Sequence, residues 1–153
     1  MDISEDPALT PTVDFGLIAD AVQASGGKLF VLGGGWDTLT VRAFPARHHT
    51  LALGLRIVVP WTYDGKTVRL EISLQDEDGH SLFTSGPVRH QFPVRRPPTV
   101  ADGESIGMVQ AYTFNNVPFR QAGGYAFVVS LDDIERKRIR FRVRQMPQRS
   151  EPS

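Results

Sequence analysis

Apolar and polar side chains take turns along most of this chain. Val68, Leu70, Ile72 and Leu74 alternate with Arg69, Glu71, Ser73 and Gln75. Successive side chains of a strand point to opposite faces, so this run predicts a half-buried strand. The same period recurs at Leu51, Leu53, Leu55, Ile57 and Val59, at Tyr125, Phe127, Val129 and Leu131, and at Ile139, Phe141 and Val143. Shorter strands are expected at residues 28–32 (KLFVL) and 38–44 (TLTVRAF). Ile106, Met108, Tyr112 and Phe114 share one face of a further strand, with Gln110 the exception. Residues 14–25 fit two periods. Phe15, Ile18 and Val22 would share a helical face with Gly26 as a stop, whereas a strand there would make a hairpin with KLFVL. The strand is the expectation.

Glycine marks the breaks between these runs: Gly26-Gly27, Asp64-Gly65, Asp78-Gly79 and Gly123-Gly124. Asp-Gly between alternating runs is a hairpin signal, because a type I′ turn needs positive φ at both central residues. Many short strands with regular Gly and Pro punctuation predict an all-β fold: an antiparallel two-sheet β-sandwich, immunoglobulin-like, with about seven to nine strands. A Gly-Gly-Tyr leading into a late strand places Tyr125 as the corner tyrosine of such sandwiches.

The chain has 153 residues, enough for one core. One domain over 13–145 is expected, after a flexible acidic lead (1–12) and before a flexible tail (146–153). Basic and acidic residues number 17 each, for a net charge of +0. Overall charge therefore recruits neither nucleic acid nor an anionic membrane. There is no cysteine, which removes disulfides, thiol catalysis and thiolate metal sites. The acidic start has no apolar core, so no signal peptide is expected. No apolar run approaches the ~20 residues of a membrane helix. No membrane association is expected, and a cytoplasmic location is.

Candidate chemistry is sparse. Gly103-Glu104-Ser105-Ile106-Gly107 matches the G-x-S-x-G of a nucleophile elbow. It leads into a strand-like run, and His48, His49, His80 and His90 all precede Ser105, against the usual order. A loop running into a strand is the expectation. Gly33-Gly34-Gly35 follows a strand without the Lys-Ser/Thr or the clear helix of a phosphate loop, so a corner is expected. Asp76, Glu77 and Asp78 before Gly79 lack the closing glutamate of a calcium loop and read as turn chemistry. The histidines have no ligand spacing. Neither metal nor cofactor is expected, and no catalytic residue.

Arginine outnumbers lysine 14 to 3. Arg138, Arg140, Arg142 and Arg144 alternate with Ile139, Phe141 and Val143, which puts four guanidiniums on one face of one strand. Guanidinium takes carboxylate or phosphate in a bidentate grip. These four, with Arg95 and Arg96 from the basic Pro-rich loop 87–102, are the candidate anion- or partner-binding residues. The plainer account is that they blunt a sheet edge, or pair across strands with carboxylates such as Glu71.

The segments GKLFVLGGGWDTL, Val59-Pro60-Trp61, LQDEDGHSL and GGYAFVVSLD together resemble a family of small uncharacterised actinobacterial proteins, over roughly residues 14–145. The resemblance implies a β-sandwich and supports the strand over 14–25. It implies no activity, cofactor or site residue. The expectation is a non-catalytic protein-binding or scaffolding module, with a protein partner or a second copy of itself. The alternative is anion or nucleic-acid binding through the arginine strand, which the balanced charge disfavours.

Overall fold

In the computed structural model, residues 9–147 are described. They form nine strands in two sheets that pack face to face. The strands are β1 (Thr12–Ser25), β2 (Lys28–Gly34), β3 (Thr38–Val41), β4 (Ala46–Val59), β5 (Thr67–Asp76), β6 (Val88–Pro93), β7 (Ile106–Phe119), β8 (Gly123–Leu131) and β9 (Ile134–Gln145). One sheet has the order β2-β1-β4-β7 and the other β3-β9-β8-β5-β6. The two-sheet β-sandwich expected from the alternation is the fold.

Every pairing is antiparallel except β3 with β9, which is parallel. The chain comes out of β2 in one sheet and enters β3 at the far edge of the other, a crossover that brings β3 alongside β9 in the same direction. After Val41 it returns through a corner at 42–45 to open β4, so the strand expected over 38–44 ends early.

The core lies between the sheets. Leu51, Leu53, Leu55, Ile57 and Val59 of β4 face Val68, Leu70, Ile72 and Leu74 of β5, with Phe127, Val129 and Leu131 of β8. Each such side chain contributes about 1.5–3 kcal/mol on burial. Phe119, Tyr125 and Phe141 form an aromatic cluster at one end, with centroids 4.9 Å apart for Phe119 and Tyr125 and 6.0 Å for Phe119 and Phe141. The Tyr125 hydroxyl donates to the Gln121 carbonyl at 2.6 Å. This is the tyrosine corner of an immunoglobulin-like sandwich.

Residues 14–25 are strand throughout, and the hairpin with KLFVL forms. Gly26 and Gly27 have φ of 60° and 74°, as a type I′ turn requires. This hairpin covers the back of its sheet at Gly54. A Cβ built there would lie 3.1 Å from Val22 Cγ1 and 3.3 Å from Leu29 Cδ1. The opposite side of the hairpin leaves Phe30 56% and Leu32 72% exposed.

Several expectations need correction. Residues 88–93, read as part of a Pro-rich loop, form β6. This is an edge strand that buries Phe92 and closes at Pro93, a residue an edge tolerates. Asp64-Gly65 makes no hairpin, because β4 and β5 lie in different sheets, and a 3-10 turn at Trp61–Tyr63 carries the chain between them. Gly123-Gly124 marks a break as expected, opening β8 after a crossover from β7. Pro11 is buried and Thr12 already pairs with Val58, so the sheet takes in the end of the stretch read as a lead. The rest of that lead, residues 1–8, and the tail from 148 onward lie outside the described residues. Among the described residues no helix is long and apolar enough to cross a membrane.

Candidate functional site

β9 turns Phe141 and Val143 into the core. The two-residue period then carries Arg138, Arg140, Arg142 and Arg144 to the outer face, and all four are exposed. Beside them runs β8, in register Arg138↔Val128, Arg140↔Ala126 and Arg142↔Gly124. Directly opposed residues share a face, so the outer face of β8 is a strip of small side chains: Gly124, Ala126, Val128 and Ser130. Ala126 is only 8% exposed and Val128 6%, although both point away from the core. The longer side chains on either side shield this floor.

At the Gly124 end the strip deepens into a cleft of about 520 Å³, walled by Arg138, Arg140 and Arg142 on one side and by Asp76 and Glu77 on the other. The cleft is thus lined by both signs of charge, but its carboxylates already have local donors. Asp76 accepts the backbone N–H groups of His80 and Asp78, each at 2.9 Å, and the His80 bond leads in holding its carboxyl below the usual range. Glu77 accepts the Gly124 N–H at 2.5 Å. Asp37, at the rim, accepts the Thr38 hydroxyl at 3.1 Å.

The guanidiniums divide differently. Arg138 is held as a fork by Glu135, at 3.0 and 2.8 Å, and that bond raises its pKa. Arg140, Arg142 and Arg144 have no carboxylate partner among the described residues. Glu71, the carboxylate expected to pair across strands, lies two strands away from β9 and pairs with Arg89 of β6 at 2.9 Å. Arg95 and Arg96 do not join the ladder either. They follow β6, with β5 and β8 between them and β9. Arg96 pairs with Asp102, and its backbone N–H donates to Asp64 at 2.9 Å.

The other motifs resolve into structure. Ser105 is exposed on a loop that runs into β7, a strand where an elbow would need a helix. The corner expected at Gly33–Gly35 starts later: Gly33 and Gly34 end β2, and the chain leaves the strand at Gly35, whose N–H donates to the Ile18 carbonyl at 3.0 Å. Asp76, Asp78 and His80 bring ligand atoms within 4.8 Å of one another. The Asp76 bonds to the backbone of this turn account for the grouping. His90 bonds Tyr112 through Nδ1 at 2.9 Å, tying β6 to β7 across the two sheets. Burial pushes the Tyr112 phenol up to about 12.

Sequence reasoning found the ladder but not its neighbour. The small strip on β8 was visible as Gly124, Ala126, Val128 and Ser130 at period two, opposite core residues at the odd positions. That signal identifies the back of a strand left bare of bulk. No curated protein matches this chain. Residues 14–144 match a family of unknown function, DUF6941, and the chain belongs to it.

Proposed function

We propose that this protein is a non-catalytic binding module whose docking surface is the outer face of the β3-β9-β8-β5-β6 sheet, and that it holds an acidic protein partner through Arg140, Arg142 and Arg144. One observation carries this reading: three neighbouring guanidiniums on one strand have no carboxylate partner among the described residues, beside a strip of small side chains that deepens into a cleft. Guanidinium is weakly hydrated and planar, so it favours bidentate contact with carboxylates. A protein partner fits better than nucleic acid, because a chain of net charge +0 lacks the basic excess that binding along a phosphate backbone draws on. A chain without cysteine suits a reducing compartment such as the cytoplasm.

The test is fluorescence anisotropy with a labelled glutamate decapeptide in low-salt buffer. The expected result is saturable binding that weakens as salt rises and falls at least tenfold in Arg140→Ala/Arg142→Ala. A single-stranded oligonucleotide serves as the second probe. If the oligonucleotide binds and the peptide does not, the acidic-protein reading is replaced by the nucleic-acid one. If neither binds at low salt, the arginine face has no anionic partner and the proposal fails.

A further inference from the structure

β3 pairs with β9 only from Arg142 to Gln145. The preceding stretch of β9 is therefore an open sheet edge, although it is paired with β8 on its other side. The direction of its backbone groups follows from the bonds that β3 does make. Arg142 N–H donates to the Asp37 carbonyl at 2.7 Å and Met146 N–H to the Val41 carbonyl at 2.6 Å, so even-numbered amides of β9 point toward β3. The register with β8 is unbroken from Lys137 to Val143. The two-residue repeat therefore aims the amides of Arg138 and Arg140 outward along the same edge, where no strand of the described residues receives them. Arg140 thus offers a backbone donor at the edge and an unpaired guanidinium on the face above it.

We infer that the open edge of β9 over Lys137–Phe141 takes an extended acidic segment of a partner protein as an added strand of the five-stranded sheet. This rests on the proposed acidic-partner reading and supplies its geometry. An added strand carries its own side chains at the same two-residue spacing, about 6.7 Å, as the arginine ladder. Alternate carboxylates of such a strand would meet Arg138 and Arg140 in step, and Arg142, beside which β3 begins, stands next to the end of the added strand. Main-chain bonds then supply affinity and the ladder supplies specificity. Charged residues at an edge normally prevent edge-to-edge association. Here the charge is of one sign, so it repels a second copy of the same edge and admits a strand of opposite charge. The β2 edge, where Phe30 and Leu32 are exposed, has no charge from Leu29 to Gly35 and would not make this selection.

The experiment uses the full chain and glutamate-rich decapeptides in three forms: unmodified, and N-methylated at alternate residues in each of two frames. In a strand, alternate amides point to opposite edges, so only one frame removes the donors that face β9. Strand addition predicts that one methylated frame loses at least tenfold in affinity while the other binds like the unmodified peptide. It also predicts slower hydrogen exchange at the Arg138 and Arg140 amides on binding. If both frames bind like the unmodified peptide, the arginine face still takes acidic segments but the added strand is excluded. If the unmodified peptide does not bind at all, the acidic-partner reading itself fails. Binding that survives Arg140→Ala/Arg142→Ala and is lost on Leu32→Lys places the strand on β2 and overturns the inference.

Discussion

Replacing Arg140 and Arg142 together with methionine should make this protein slightly more stable. Methionine keeps an apolar stem over the Ala126 and Val128 floor and removes the charge, so the change isolates electrostatics from packing. The two guanidiniums have no ion-pair partner to lose among the described residues, and Arg138 is already neutralised by Glu135. Within the ladder what remains is repulsion between Arg140 and Arg142, between Arg142 and Arg144, and more weakly between Arg140 and Arg144; attraction to Asp76 and Glu77 across the cleft offsets part of it, so the ladder's own sum is an upper bound. Neighbours at i and i+2 on a strand stand about 6.7 Å apart. Two unit charges at that distance in water repel by roughly 0.6 kcal/mol. A Debye length of about 30 Å at 0.01 M salt leaves ~0.5 kcal/mol of this, and about 8 Å at 0.15 M leaves ~0.3 kcal/mol. Summed over the pairs removed, the variant gains up to about 1 kcal/mol at low salt and up to about 0.6 kcal/mol at physiological salt. Urea unfolding reads this directly because urea is uncharged. With a slope of about 2 kcal/mol per molar, the midpoint should rise by up to roughly 0.5 M in 0.01 M salt and less in 0.15 M. A midpoint that falls in low salt would show that the guanidiniums hold the fold together, and the case for a surface kept for a partner would collapse.

Three further outcomes follow from the packing. Tyr125→Phe keeps the ring among Phe119 and Phe141 but loses the 2.6 Å bond to Gln121. It should cost about 1–2 kcal/mol and lower Tm by roughly 3–6 °C; a thermal scan within 1 °C of the parent would deny the corner its role. Gly54→Val would push methyls into Val22 and Leu29, which already crowd the Cβ position at 3.1 and 3.3 Å. The β1–β2 hairpin should lift, costing about 1–3 kcal/mol, and proteolysis near Gly26-Gly27 should accelerate while the β8–β9 hairpin stays resistant. Tyr112 has its folded pKa raised to about 12 from 10.0, mainly by burial. The folded state therefore keeps this proton longer than the unfolded state, so the contribution is fully present below pH 10 and lost as pH rises through about 12. Tyr112→Phe should flatten that alkaline decline; an unchanged profile would assign it to other groups.

The strands most legible in the sequence are those with one face in the core and one in water. β4 from Leu51, β5, β8 and the last part of β9 alternate because burial selects every second residue. β6 was not legible for the opposite reason. At the edge it buries only Phe92, so no alternation marks it, and the flanking prolines suggested a loop. The β8–β9 turn was hidden as well, since Asp132 and Asp133 adopt φ of 49° and 68° without glycine. Asp132 is held there by the Arg69 N–H at 2.9 Å, a contact between residues 63 positions apart. The same limit applies to the site. Period two was enough to put four arginines on one face, but not to say which of them find carboxylates. Glu135 takes Arg138 and Glu71 takes Arg89 because the hairpin and the β5–β6 pairing bring those groups together.

The two sheets treat their backs differently, and the difference bears on what the outer face is for. Each has small residues on a central strand facing away from the core: Ala52 and Gly54 on β4, and Gly124, Ala126 and Val128 on β8. In the first sheet the chain itself covers them, with Leu17, Val22 and Leu29 of the β1–β2 hairpin closing over Gly54 at contact distance. Small residues there are explained by what packs on them. In the second sheet the strip lies between the arginine ladder and the β5–β6 connection, and no strand of the described residues closes over it. At Gly124 the cover is the Glu77 side chain, whose Oε1 would lie 3.0 Å from a Cβ there, and Ala126 and Val128 are shielded by the longer side chains on either side. What the described residues leave without a cover is the β9 edge before Arg142 and the guanidiniums of Arg140, Arg142 and Arg144, which have no carboxylate partner among them. On the proposed reading, an extended acidic segment of another chain takes up the β9 edge at Lys137–Phe141 and brings carboxylates to the arginine ladder.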